Sequence, residues 1–443
     1  MKPINKNNTK SISISPLKKM FKYEYDRAKK EGLSSIAYEK INYLKEIPKL
    51  YKTWKTNKGY KPISINVYCT YKCNLRCKIC GIGNGAMPKS LYKNEITTQR
   101  YFSFFEEAGK LGAVKLHFTG GEPFLRSDIL DLVKHAKKHI PFVNMTTNGT
   151  LITHDSAEQL VKNGLDAIKI SIDGNELSHD IIRGLKGSWK KSIDGIKYIN
   201  DAKKKLNQNL MIGVNCIVNA INYRNADELI DKLHEIGGVS LVQFSPLFNY
   251  KELNNGGDIR LPLTENEAKF FVEKVIPKIN KKAKEYGITI QSSPAWGYVN
   301  EENLLEKYRI NYCFLPWTWL ILSPQGNIFP CGGTQYDNFY GEDPEAREQY
   351  IMGNLNTSTL SEIWNNDKFL NFRKKCNPLK HDICNFCCHI RSVKSTIDKL
   401  NKLPFVNLLP DNSQSFIAYL LSVEPSIISM FHKNIAFMAK KDI

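Results

Sequence analysis

The chain has 443 residues and a mass of 50.7 kDa, more than one hydrophobic core usually spans, so two domains are expected. With 42% hydrophobic and 24% charged residues the composition is globular, which excludes a disordered or fibrous chain. The net charge is +19, but residues 1–61 alone hold 16 Lys/Arg against 5 Asp/Glu, so the basicity belongs to an N-terminal arm rather than to a site. Such an arm suits an acidic partner or a weak peripheral membrane contact, although a lysine-rich compositional habit is the plainer account. No interleaved aromatic patch supports a nucleic-acid partner. Without a secretory segment in MKPINKNNTKSISIS or a run of ~18 apolar residues, a soluble cytoplasmic protein is expected.

Helix formers with apolar positions at Ile36, Tyr38, Ile41, Leu44 and Ile47 make the arm helical, and Pro62 ends it. Short apolar runs follow at Ile63–Tyr68, Val114–Phe118, Phe142–Thr147, Ala167–Ile172, Met211–Val218 and Leu241–Pro246. Amphipathic stretches lie between them at Thr98–Leu111, Ile129–His139, Ser156–Asn163, Trp189–Lys204 and Ala226–Ile236. This alternation predicts parallel strands with right-handed helical crossovers, an α/β barrel or open sheet whose site lies at the strand C-termini. Phe248–Arg260 reads as a polar loop and Glu265–Tyr286 as a long helix. Ser415–Met438 reads as a helical hairpin interrupted by Glu424 and Pro425.

The eleven cysteines are Cys69, Cys73, Cys77, Cys80, Cys216, Cys313, Cys331, Cys376, Cys384, Cys387 and Cys388. An odd, clustered set without a signal peptide argues for metal rather than a disulfide framework. Cys73, Cys77 and Cys80 follow the first strand with C-x3-C-x2-C spacing. Three thiolates on one loop suit three irons of a cubane with the fourth left open; a zinc knuckle completed by Cys69 is the alternative.

The downstream motifs come in a definite order. Thr119-Gly120-Gly121-Glu122-Pro123 ends the second strand and Thr146-Thr147-Asn148-Gly149-Thr150 the third. Ser171-Ile172-Asp173-Gly174 ends the fourth, and His179-Asp180-x2-Arg183-Gly184 follows. Together with Cys73-Asn-Leu-Arg-Cys77, this pattern resembles the radical S-adenosylmethionine (radical SAM) superfamily over about residues 61–250. The resemblance implies a partial (β/α)6 barrel and a 4Fe–4S cluster held by Cys73, Cys77 and Cys80. Its open iron would chelate the methionine amine and carboxylate of SAM. It further implies that Gly120 and Gly121 let a backbone edge approach the methionine amine and that Glu122 and Pro123 fix that turn. Arg183 would meet the carboxylate, Ser171 and Asn148 the ribose or methionine end, and Ile79 the adenine. The plainer roles are a turn for Asn148-Gly149, a surface salt bridge for Arg183 and a helix cap for Ser171. Cys69 and Cys216 read as structural.

The implied chemistry is the cofactor's: one-electron reduction, by a donor such as a flavodoxin or ferredoxin, cleaves SAM to a 5′-deoxyadenosyl radical that abstracts hydrogen from a substrate. No catalytic base is legible.

Farther on, Cys313 and Cys331 flank an apolar strand, a Pro324-Gln-Gly-Asn turn and a returning strand, so a hairpin brings them together. With Gly353-Asn354-Leu355, Glu362-Ile363-Trp364-Asn365, Phe372-Arg373 and Cys384-x2-Cys387-Cys388, this resembles the small α+β SPASM/twitch extension of radical SAM enzymes. One auxiliary 4Fe–4S cluster on Cys313, Cys331, Cys384 and Cys387 is implied, with Cys376 or Cys388 able to replace a ligand. The expected organisation is an arm over 1–60, a core over 61–285, an auxiliary-cluster domain over 286–400 and a helical tail over 401–443. Net oxidation of a small molecule such as a sugar derivative is the first functional reading. Peptide or protein modification is the second, and a non-catalytic metal-binding scaffold is the reading from another class.

Overall fold

The computed structural model describes residues 61–83, 89–247, 261–293, 295–296, 313, 315–332 and 348–375. The expected arm, the loop Phe248–Arg260, Cys376, Cys384, Cys387, Cys388 and the tail lie outside the described residues.

Strands β1 (Ser64–Thr70), β2 (Lys115–Gly120), β3 (Phe142–Thr147), β4 (Ala167–Ser171), β5 (Met211–Val218), β6 (Val239–Pro246) and β7 (Thr289–Ser292) run parallel in chain order. Helices α1 (Thr98–Lys110), α2 (Ile129–His139), α3 (His154–Lys162), α4 (Glu176–Arg183), α5 (Ser188–Leu206) and α6 (Glu228–Ile236) provide the crossovers. After β6 comes α7 (Glu265–Phe270), which passes through a π-helical turn (Phe271–Val275) into α8 (Ile276–Tyr286). The expected single helix over Glu265–Tyr286 is thus continuous but locally underwound in its middle.

The sheet does not stop at β1. Strands β8 (Trp319–Leu322), β9 (Asn327–Phe329) and β10 (Gly353–Asn354) extend it, giving the order β10-β9-β8-β1-β2-β3-β4-β5-β6-β7. The two ends of this order do not pair, so the barrel is open. β8 runs parallel to β1, with Ser64 opposite Trp319 and Val67 opposite Leu322, and returns through an antiparallel hairpin to β9. Gly326 (φ +89°) turns the hairpin. The run after Cys313 begins as one helical turn, α9 (Leu315–Thr318), rather than as strand throughout. Pro316 lacks the amide a central strand would need. Two short helices, α10 (Leu360–Asn365) and α11 (Asp367–Lys374), complete the described part.

Strand alternation sorts the side chains. Ile65, Val67, Leu116, Phe118, Val143, Met145, Ile168, Ile170, Ile212 and Val214 are buried against the helices in one continuous core. From the helical side, Tyr101, Phe104 and Phe105 meet them, and Phe105 sets its edge on Phe118 at 5.8 Å. Full burial of each such ring stabilises by roughly 1.5–3 kcal/mol. The alternate positions face the concave side: Phe142, Ala167 and Met211 form an apolar cluster across β3, β4 and β5, and Tyr68, Thr119, Thr146, Lys169, Ser171, Asn215, Gln243 and Gln291 are polar. Among the described residues no helix is long and apolar enough to cross a membrane.

Candidate functional site: the cysteine loop at the open end of the barrel

β1 pairs with β2 in register until Tyr68, then slips so that Thr70 stands opposite Gly120. The slip at Cys69 is a bulge, which bends the strand as the chain leaves the sheet. Cys69 is buried, donates to Thr119 O at 3.2 Å and has its thiol pKa pushed far up by burial. Cys216 is buried in β5 with its pKa raised for the same reason. Both have the character of core residues.

Beyond the bulge the loop carrying Cys73, Cys77 and Cys80 is gripped from three sides. On the β2 side, Gly121 N–H donates to Thr70 O (2.7 Å) and Glu122 N–H to Lys72 O (2.8 Å). A Cβ on Gly121 would lie 2.0 Å from Lys72 O, and one on Gly120 (φ +124°) 2.4 Å from Thr70 O. The glycine pair is therefore required by close approach of the cysteine loop itself. At the β3 end, Asn148 Nδ2 donates to Asn74 Oδ1 (2.9 Å), while Asn74 Nδ2 donates to Thr150 Oγ1 (2.8 Å). At the C-terminus of α4, Lys78 N–H donates to Ile182 O (2.8 Å), and Gly184 (φ +69°) leaves room for Arg76 O.

Glu122 is the keystone of this frame. Fully buried, it accepts from Thr147 Oγ1 (2.7 Å), Asn148 N–H (2.8 Å) and Phe124 N–H (3.1 Å). Burial raises its carboxyl pKa although those three donors oppose the rise. Pro123 is buried and opens a 3-10 turn. Arg183 lies under the loop rather than at the surface. Its Nη2 is 2.8 Å from Asp173 Oδ2, its Nη1 donates toward Cys77 Sγ at 3.9 Å, and its buried Nε makes no hydrogen bond among the described residues. Asp173 is wholly buried and also accepts from Ile217 N–H (2.8 Å). Ser171 is half-buried on the concave face opposite Asn215; Asn175, not Ser171, caps the following helix. Ile79 packs with Leu247, Leu261, Ile217 and Ile221 into an apolar patch beside the polar concave face.

Cys77 is buried, and Cys73 and Cys80 are half-buried. Burial pushes the Cys77 thiol up to about 12, with Arg183 pulling the other way, and raises Cys73 too. Unliganded thiolates would thus be costly here, and a cation bound by them would supply the missing compensation. In the extension, Cys313 and Cys331 are half-buried at the ends of the α9–β8–β9 segment. Arg373 is buried there, donating to Pro316 O (2.9 Å) and Trp364 O (2.8 Å) and lying over the rings of Trp364 and Phe369.

Sequence reasoning did not find the Asp173 anchor of Arg183, nor the clasp of Asn74 with Asn148 and Thr150. Asp173 and Asn74 sit inside the quoted motifs, but motif spacing carries no signal for which side chains meet, whether Asp173 with Arg183 around one helix or Asn74 with Asn148 across 74 residues.

Two family models match the chain: the radical SAM superfamily over residues 67–215 and SPASM, an iron–sulfur cluster-binding domain, over residues 313–389. An AdoMet-dependent heme synthase of Nitratidesulfovibrio vulgaris is 25% identical, covering 77% of this chain and 91% of its own length. A PqqA peptide cyclase of Gluconobacter oxydans is 24% identical, covering 69% and 76%. Streptococcus suis SuiB, solved with S-adenosylmethionine, shares the fold with a TM-score of 0.56 at 18% identity over 86% of each chain.

Proposed function

Because this chain carries a radical SAM core, which binds a 4Fe–4S cluster and S-adenosylmethionine, and a SPASM iron–sulfur domain, we propose that it oxidises a polar substrate by hydrogen abstraction at the open end of the half-barrel. The observation that carries the reading is the convergence of β2, β3 and α4 on the cysteine loop through Gly121, Asn148 and Gly184. Such a frame holds the loop fixed over the concave face, as a site for a reactive radical requires.

In this reading Cys73, Cys77 and Cys80 hold the cluster. When bound, cluster and SAM supply a one-electron cleavage that yields the 5′-deoxyadenosyl radical. The remaining roles belong to protein side chains. Gly120 and Gly121 present a backbone edge, while Glu122 and Pro123 keep that edge in place. Arg183, oriented by Asp173, offers its guanidinium to the methionine carboxylate. Asn148 and Ser171 offer hydrogen bonds, and Ile79 with Leu247 and Leu261 offers an apolar wall for the adenine. The concave positions Thr119, Thr146, Lys169, Asn215 and Gln243 form a hydrogen-bonding floor, with Lys169 Nζ donating to Gln243 Oε1 at 2.7 Å. Such a floor suits a substrate rich in polar groups.

The proposed organisation remains an arm over 1–60, a core over 61–285, an auxiliary domain over 286–400 and a tail over 401–443. The matches at 67–215 and 313–389 support the middle two. Cys313, Cys331, Cys384 and Cys387 would hold one auxiliary cluster, which when bound would supply an acceptor for the electron that a net oxidation of the substrate releases. With Cys384→Ala and Cys387→Ala combined, deoxyadenosine should still form while oxidised product is lost; full product from the folded variant would refute the electron-acceptor role. A small molecule is one substrate class, and the reach of the heme synthase over both domains supports it. A peptide is the second, supported by the similarity to a peptide cyclase. Deoxyadenosine release stimulated by the low-molecular-weight, peptide-free filtrate of a cell extract would support the first. Stimulation only by the peptide fraction would support the second.

A further inference from the structure

Helices α1 and α2 pack side by side on the outside of the sheet. Gly109 makes the approach possible, since a Cβ there would lie 2.8 Å from His139 O. Three polar side chains meet at this contact: Glu106 on α1 and, one turn apart on α2, His135 and His139. One ring nitrogen of each histidine and one Glu106 oxygen all lie within 4.8 Å of one another. His135 is locked by stacking on Phe102, ring centroids 4.1 Å apart and planes 10° from parallel. Its Nε2 is shielded from solvent, stands 3.4 Å from Glu106 Oε1 and makes no hydrogen bond among the described residues. A buried imidazole nitrogen aimed at a carboxylate without bonding it is a costly arrangement unless something else satisfies it.

We propose that Glu106, His135 and His139 form a binding site for a divalent transition ion of the zinc class, separate from the iron–sulfur sites. Two histidines at i, i+4 on one helix face with a carboxylate from a neighbour is a donor set that suits zinc. Bonds of about 2.0–2.1 Å would set the donors ~3.4 Å apart. Side-chain rotation of the half-exposed Glu106 and of His139, at the helix end, supplies that closure. The fourth position is left to water. The cysteine loop leaves the C-terminal end of β1, whereas His139 ends α2 just before β3 begins. The ion would therefore clasp α1 to α2 at the foot of the barrel, the face that serves stability rather than chemistry.

The test uses holoenzyme with its clusters already assembled. Zinc chloride is titrated calorimetrically under anaerobic conditions, and iron, sulfide and zinc are counted after desalting. Wild type should take up one zinc at unchanged iron and sulfide and gain thermal stability from it. Glu106→Gln and His139→Gln should each bind zinc roughly tenfold or more weakly, and the pair should lose the zinc-induced stabilisation. These positions are half-exposed, so the variants should match wild type in melting temperature without zinc. Three results would overturn the proposal: no saturable uptake by wild type, undiminished affinity in both variants, or zinc gained only as iron is lost.

Discussion

Replacing Asp173 with Asn removes the carboxylate that holds Arg183 beneath the cysteine loop. The two groups are 2.8 Å apart, with Asp173 fully buried and Arg183 only 9% exposed. Asn keeps an oxygen for Ile217 N–H, so the cost is that of a buried guanidinium left without its counter-charge, about 3–5 kcal/mol. Arg183→Met should behave differently. It strands the Asp173 carboxylate, whose pKa burial already raises, and that group can take up a proton. A folded-state pKa above the unfolded one gives stability that is present at low pH and lost as pH rises, so Arg183→Met should cost more at pH 8 than at pH 5. Removing both charges in Asp173→Asn/Arg183→Met should cost less than the two single changes summed. Urea unfolding of anaerobic protein followed by circular dichroism measures all three. A cost below about 1 kcal/mol for Asp173→Asn, or strict additivity in the double variant, would refute the buried-pair argument.

The loop frame and a buried histidine give two more tests. Gly121→Ala should fold its helices and sheet but displace the cysteine loop, because the new Cβ would meet Lys72 O at 2.0 Å; iron incorporation after anaerobic reconstitution should fall several-fold, and wild-type iron content would show that the loop can yield. His179 accepts from Asp173 N–H at 3.2 Å, and burial, aided by the charge of Arg183, pushes its pKa down to about 3. Its contribution is therefore complete above the unfolded value near 6.5 and is lost as pH falls, by about 1.4 kcal/mol per pH unit. His179→Asn keeps an acceptor without a titrating ring, so its stability should fall less steeply below pH 6.5; parallel curves would contradict the assignment.

Strand–helix alternation made the parallel core legible, because hydrophobic period and turn chemistry act over ten residues or fewer. The Ala167–Ile172 run and Thr98–Leu111 helix reappear within a residue as β4 and α1. The extension was legible as a hairpin but not as part of the same sheet. Pairing of Ser64 with Trp319 spans most of the core and leaves no local trace. At the site, the motifs located Cys73, Gly120, Glu122 and Arg183 at strand and helix ends, yet hid why the residue types are needed. Glycine at 121 answers the carbonyl of Lys72, far back in the chain, and Arg183 answers Asp173 across a helix. The polar concave face is only partly legible: Thr119 and Thr146 lie inside the quoted motifs, whereas Lys169, Asn215 and Gln243 merely alternate with core positions.

Radical chemistry by a chain with two iron–sulfur sites can be checked by purifying and reconstituting it without oxygen, counting iron and sulfide, and assaying SAM cleavage after reduction. About eight irons per chain, as two 4Fe–4S cubanes, with deoxyadenosine released slowly even without substrate, is the predicted result. Bound zinc in place of iron, or full iron with no cleavage of SAM by folded protein, would contradict it.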